Sequence, residues 1–161
     1  MTRFAGLVGV ERVQADATAR GLDIEVIERP AARSLEEAAG LLGIEPADIV
    51  KSLVVKRSDD TYVFALVPGG RKISWPKLRA LLAVNKLQLP DASLALAATG
   101  YERGTITPLG SSIAWPVVAD ETIVGRRVSM GAGEHGRSLF VDADALIAAL
   151  GATVADISDP E

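Results

Sequence analysis

The sequence predicts an α+β fold with a mixed, mainly antiparallel sheet, and three observations carry that prediction. Strand-like segments outnumber helix-like ones. Helices interrupt the strands irregularly, without the strict alternation of a doubly wound sheet. Twice, two strand-like segments follow one another across a short polar link, 50–57 then 61–69 and 126–132 then 137–142, which is the pattern of a hairpin.

Taken in order, residues 9–20 read as a helix closed by Gly21. "LDIEVIE" (22–28) alternates as a strand. After the turn "RPAA", Ser34 and Glu37 form a capping box for a short helix that ends near Gly43. "EPAD" makes another turn. "VKSLVVKR" (50–57) and "TYVFALVPG" (61–69) are β-branched strands joined through "SDD". "SWPKLRALLA" is a helix with Ser74 as its cap and Pro76 in its first turn. "NKLQL" is a short strand, and "DASLALAATG" a short helix stopped by Gly100. "SIAWPVVAD" (112–120) reads as a strand, and the later hairpin turns through "GEHG". "DADALIAALG" is the last helix, and "TVADISDPE" (153–161) reads as a loose tail. No repeat and no linker is visible, so the expectation is one domain spanning 1–161.

The totals bound the chemistry. The 161 residues suffice for one substantial core, and 48% apolar with 24% charged residues is the balance of a soluble globular protein. There is no cysteine, which removes disulfides, thiolate metal sites and cysteine nucleophiles. The first residues meet charge too early for a secretory signal, and no apolar run approaches the ~20 residues of a membrane span. The expectation is a cytoplasmic, soluble protein. The net charge of −4 is uneven: 61–90 contains no acidic residue but carries Arg71, Lys72, Lys77, Arg79 and Lys86. That window is either a face for phosphate or an ordinary solvated surface.

Motifs for familiar chemistries are missing. His135 is the only histidine and sits in the "GEHG" turn, with no G-x-S-x-G to serve. There is no Walker A sequence, no strand-linked G-x-G-x-x-G and no H-E-x-x-H. Lys51 is more informative. Alternation along 49–55 puts it on a face with Ile49, Leu53 and Val55, where an ammonium is costly without a partner unless its stem reaches water at an edge. The stretch "TGYERGTITPLG" (99–110) holds three glycines and a proline. They either serve as helix cap and turn residues or hold the backbone against a ligand, with Gly104 permitting close approach and Pro108 limiting relaxation.

Four blocks, "DIVKSLVVK", "VPGGRKISWPKLRALL", "TGYERGTITPLG" and "GAGEHGRSLFVDADAL", in this order and spacing, resemble the YbaK/ProX family of aminoacyl-tRNA deacylases. These are relatives of the editing domain inserted in bacterial prolyl-tRNA synthetases. The resemblance runs from about Leu22 to Leu146. It implies a sheet curled into a barrel-like core with flanking helices. It also implies a trans-acting hydrolase that cleaves the ester of a mischarged tRNA, with proline tRNA carrying cysteine, alanine or another small amino acid as substrate. Lys51 matches the family's essential lysine, and Gly104 to Pro108 its GxxxP loop at the aminoacyl end. The resemblance thus makes Lys51 and Gly104 the catalytic positions. Substrate contacts are Ser52, Thr105, Ile106, Thr107, Pro108 and the small-residue segment Gly131, Ala132 and Gly133. Arg71, Lys72 and Lys77 are placed at tRNA phosphates. No cofactor or metal is implied; the partners are the aminoacylated 3′ end of tRNA and prolyl-tRNA synthetase.

An aminoacyl ester is already activated, so the family's chemistry needs only a placed water and a stabilised oxyanion. Backbone N–H groups near Gly104 and Thr105 are the expected donors, with Lys51 holding the terminal phosphate or polarising the carbonyl. The ribose hydroxyl beside the ester is thought to help activate water. The chain departs from the family in places. Gly131 stands where serine is common, Ser138 near a usual acidic residue, Glu28 and Arg29 near a frequent histidine or tyrosine, and Thr105 for a second glycine. These positions bear on amino-acid specificity, and they leave a non-catalytic tRNA- or ligand-binding module as the alternative.

Overall fold

The computed structural model describes residues 4–161. Helix α1 (Val10–Ala19) leads to strand β1 (Glu25–Glu28) and helix α2 (Leu35–Leu42). A 3-10 turn at Pro46–Asp48 precedes the strands β2 (Val50–Arg57), β3 (Tyr62–Pro68) and β4 (Arg71–Ile73). Helix α3 (Trp75–Leu82), strand β5 (Leu87–Gln88) and helix α4 (Ala92–Thr99) follow. The long loop ends at β6 (Val117–Asp120), then come β7 (Arg127–Gly131), β8 (Arg137–Asp142), helix α5 (Ala143–Leu150), β9 (Thr153–Ala155) and β10 (Ser158–Pro160).

Helix ends follow local chemistry. Ser34 Oγ accepts the Glu37 N–H at 3.0 Å, although Glu37 returns its carboxylate to the Arg33 N–H, not to that of Ser34. Ser74, Asp91 and Asp142 cap α3, α4 and α5 in the same way, each accepting a first-turn N–H. Gly43, Gly100 and Gly151 close α2, α4 and α5 in the left-handed conformation.

The strands form a five-stranded sheet β5-β2-β3-β6-β9, a three-stranded sheet β1-β8-β7 and a two-stranded ribbon β10-β4. Pairing is antiparallel except for β3–β6 and β6–β9, which are parallel, so the α+β prediction of a mixed, mainly antiparallel arrangement holds. The two larger sheets touch through a bridge between Ile49 and Ser129. Among the described residues the pairings do not close into one barrel. The central strand β3 is buried along its whole length because both of its faces are covered. Val54, Phe64 and Leu66 belong to one apolar core, with α1 and the β7–β8 hairpin. Val55, Val63 and Leu78 belong to the other, under α3.

The tail expectation is overturned. Residues 153–161 form β9, which adds in parallel to β6, and β10, which pairs with β4. Ile157 between them is fully buried, and its N–H donates to Asp120 at 3.0 Å. Each strand has three residues, too few to show a period of two. The predicted strand at 112–120 shortens to β6 because Pro116 has no N–H for a ladder; its carbonyl accepts from Phe64 instead. The strand predicted at 22–28 likewise contracts to β1.

Candidate active site

A cavity of about 570 Å³ lies where β2 has no continuous neighbour on one side. Strand β5 pairs only with Lys56 and Arg57, and beyond the Ile49–Ser129 bridge the edge at 50–54 is open. Those residues, Lys51 and Ser52 among them, form one wall. Ser129, Gly131 and Ser138 of the β7–β8 hairpin form another, and Arg103, Gly104 and Ile106 of the long loop a third. Leu35, Leu42, Leu89 and Ala95 make the rest largely apolar.

Lys51 lies on the face of β2 that also carries partly buried Leu53 and, further on, Val55 of the second core. Its head is not enclosed there. Nζ donates to the Arg71 carbonyl at 2.7 Å and lies 3.4 Å from Glu161 Oε1, with 41% of the side chain exposed. The ammonium thus stands at a rim, paired but open to exchange. Ser52, on the opposite face, has a buried hydroxyl with no hydrogen-bond partner among the described residues.

The loop is held from behind by α1. Arg12, buried on that helix, donates to the Gly110 carbonyl from Nε at 3.0 Å and to the Thr99 and Gly100 carbonyls at 3.1 and 3.3 Å. Its guanidinium stacks 4.7 Å from the Tyr101 ring centre. Asp16, one turn on, accepts the Gly110 N–H at 2.8 Å, and the Tyr101 hydroxyl donates to the Leu109 carbonyl at 2.7 Å. Sequence reasoning missed Arg12 and Asp16. The available signal was their place on the same stripe as Val13 and Ala17, where charges need buried partners.

At the front, Gly104 has φ +90°, and its N–H has no acceptor among the described residues. The Thr105 N–H is engaged, donating to the Glu102 carbonyl at 3.0 Å, as does the Thr105 hydroxyl at 2.8 Å. Thr105 is therefore not available as an oxyanion donor in this conformation, contrary to the sequence reading. Thr105, Thr107, Pro108 and Ala132 are buried beneath the cavity and do not line it. Gly133 joins them by donating to the Thr105 carbonyl at 3.0 Å. Gly131 sits so close to the loop that a Cβ there would meet the Ile106 carbonyl oxygen at 2.9 Å.

Among the described residues no group of three or more His, Asp or Glu side chains is arranged so that it could hold a metal ion. His135 pairs with Glu102 at 3.1 Å on the surface, both largely exposed. The basic window is partly occupied. Arg71 Nε donates to Ser158 Oγ at 2.7 Å, while Lys77 lies 3.0 Å from both Asp156 and Asp159. Hydrogen bonding to Asp159, then to Asp156, raises the Lys77 pKa, and the Asp159 carboxyl is lowered in return. Lys72 is exposed.

Comparison with known proteins places this geometry. The aminoacyl-tRNA editing domain family matches residues 29–149. The proline–tRNA ligase of Thermosipho melanesiensis is 39% identical over 99 residues, 62% of this chain and 17% of that protein. The corresponding ligase of Bacillus velezensis is 31% identical over 130 residues, 78% of this chain and 23% of that one. The chain thus spans less than a quarter of the length of these two relatives. A solved structure of a protein proposed as a trans-editing enzyme for prolyl tRNA synthetase superposes with a TM-score of 0.85 at 29% identity, covering 93% of this chain and 96% of that one. With three quarters of its length inside the match, the chain belongs to the aminoacyl-tRNA editing domain family.

Proposed function

We propose that this chain is a trans-acting deacylase that hydrolyses the ester joining a wrong amino acid to tRNA. The observation that carries the reading is one cavity bordered by Lys51, Gly104 and Gly131, in a chain of the editing-domain family. The aminoacyl group enters the cavity against β2 and the loop. The Gly104 N–H, having no acceptor among the described residues, donates to the oxyanion that forms as water adds to the ester carbonyl. Lys51 exchanges its Glu161 contact for the phosphate of the terminal nucleotide or the ester carbonyl. The ribose hydroxyl beside the ester assists the water.

Proline tRNA carrying alanine, cysteine or a similarly small amino acid is the proposed substrate, on the strength of relatives that are proline–tRNA ligases. Ser52, Ile106 and Gly131 contact the amino acid, and Lys72 with Arg71 and Lys77 meets the acceptor-end phosphates. A deacylation assay across a panel of mischarged tRNAs tests the proposal. It predicts hydrolysis of at least one proline tRNA bearing a small amino acid and sparing of Pro-tRNA. No hydrolysis of any member of the panel would contradict it.

A further inference from the structure

The basic window meets an acidic counterpart folded onto it. Strand β10 runs antiparallel to β4, with Asp159 opposite Lys72 and Pro160 opposite Arg71. Residues 156–161 bring three carboxylates to that face. Asp156 and Asp159 each lie 3.0 Å from Lys77 Nζ, and Glu161 lies 3.4 Å from Lys51 Nζ. The same segment takes Arg71 onto the Ser158 hydroxyl and carbonyl, at 2.7 and 3.2 Å. Arg71 and Lys77 thus find their partners, and Lys51 its acidic one, in residues that lie outside the 29–149 stretch matching the family, while Lys51 also donates to the Arg71 carbonyl within it.

The ion pairs are built for exchange. Their side chains are 37–55% exposed, and ion pairs so open to water contribute little to stability. The backbone pairing of β10 with β4 and the burial of Ile157 hold the segment in place without them. Carboxylates can therefore release their cations while the strand stays docked. A closely spaced polyanion is the ligand chemistry that competes for such cations, because each cation it neutralises also releases a counterion from the nucleic acid.

We infer that the acidic strand 156–161 is an internal competitor for the phosphate backbone of tRNA, holding Lys51 and Lys77 through Asp156, Asp159 and Glu161 until RNA displaces those carboxylates. The inference rests on the proposed entry of the tRNA acceptor end over this face. The device keeps the patch nearly neutral towards stray anions and weakens RNA binding by a set amount.

The test uses the full chain and an uncharged acceptor-stem minihelix ending in unpaired CCA, with binding followed by fluorescence anisotropy across a salt series. The variant Asp156→Asn/Asp159→Asn/Glu161→Gln is compared with a charge-matched control, Glu11→Gln/Glu36→Gln/Glu121→Gln, whose carboxylates lie on other exposed surfaces. The strand variant is expected to bind about tenfold tighter at low salt, with a log–log salt slope steeper by about 1–2, the contribution of one or two freed cations. The control should gain less than half of that. Lys77→Gln should weaken binding in the parent and, introduced into the strand variant, remove most of that variant's gain. Equal affinity and slope in strand variant and parent, or equal gains in strand variant and control, would overturn the inference while leaving the deacylase reading intact. If no variant binds the minihelix at low salt and the parent deacylates no tRNA, the proposed function itself fails, and the inference with it. Should the strand variant melt well below the parent, the single variant Glu161→Gln, at an exposed position, must still tighten binding by about twofold or the inference is wrong.

Discussion

Gly104 is fixed by conformation, not by lack of room. A Cβ added there would meet only His135 Cε1, at 3.8 Å, yet φ is +90°. A non-glycine residue near that conformation costs about 1–2 kcal/mol, so the loop of a Gly104→Ala variant relaxes and turns its N–H away from the cavity. We expect the single-turnover deacylation rate to fall tenfold or more while the melting temperature drops only a few degrees, and the two readouts together check the claim. A fully active variant would make the loop a scaffold. Ser52 makes the converse case. Its buried hydroxyl has no partner among the described residues, so Ser52→Ala removes a desolvated group at little cost to stability. If that hydroxyl meets the substrate, the variant loses roughly three- to tenfold in rate, one hydrogen bond's worth, with an unchanged melt. The family blocks pointed to these residues in the sequence. Their physical reasons were not legible there, because an unpartnered hydroxyl and an engaged Thr105 N–H exist only once β2, β7 and the loop are assembled.

The elements were legible in proportion to their local signals. Helices α2 to α5 carry caps at one or both ends, and caps act within four residues. β9 and β10 have no such signals; Ser158 pairs with Ile73, 85 positions away, and nothing nearby in sequence announces it. Asp120 docks that segment. Burial pushes its carboxyl up, but hydrogen bonds from Thr122 and the Ile157 N–H outweigh burial and hold its pKa below the ordinary value. Because the folded state then binds its proton less readily than the unfolded chain, Asp120 stabilises the fold above the usual carboxylate value of about 3.9. That contribution is lost as pH falls through the lower folded value. Urea melts from pH 6 down to about pH 3 should show an acid-side loss of stability that Asp120→Asn reduces, together with a neutral-pH cost of about 1–3 kcal/mol. An unchanged acid slope in that variant would remove Asp120 from the docking account.

At the scale of the molecule, the sequence already showed one basic stretch in an acidic chain. It did not show that the chain's own carboxylates cover part of it, since charge counts carry no geometry. The α+β class and the two hairpins were readable because their strands are long and adjacent in sequence. The division into three sheets was not readable, because it depends on β6 and β9 adding in parallel across distant segments. Lys51 and a loop held by α1 border the same cavity, and on our proposal this arrangement hydrolyses an aminoacyl ester. The most direct measurement is the single-turnover release of alanine from mischarged proline tRNA by excess enzyme, parent against Lys51→Ala, with a thermal melt of each. The parent is expected to hydrolyse the ester and the variant to lose about two orders of magnitude in rate, the scale of one lost transition-state contact, with its fold intact. Equal rates in the two proteins, or none in the parent on any small-amino-acid tRNA, would contradict the proposal.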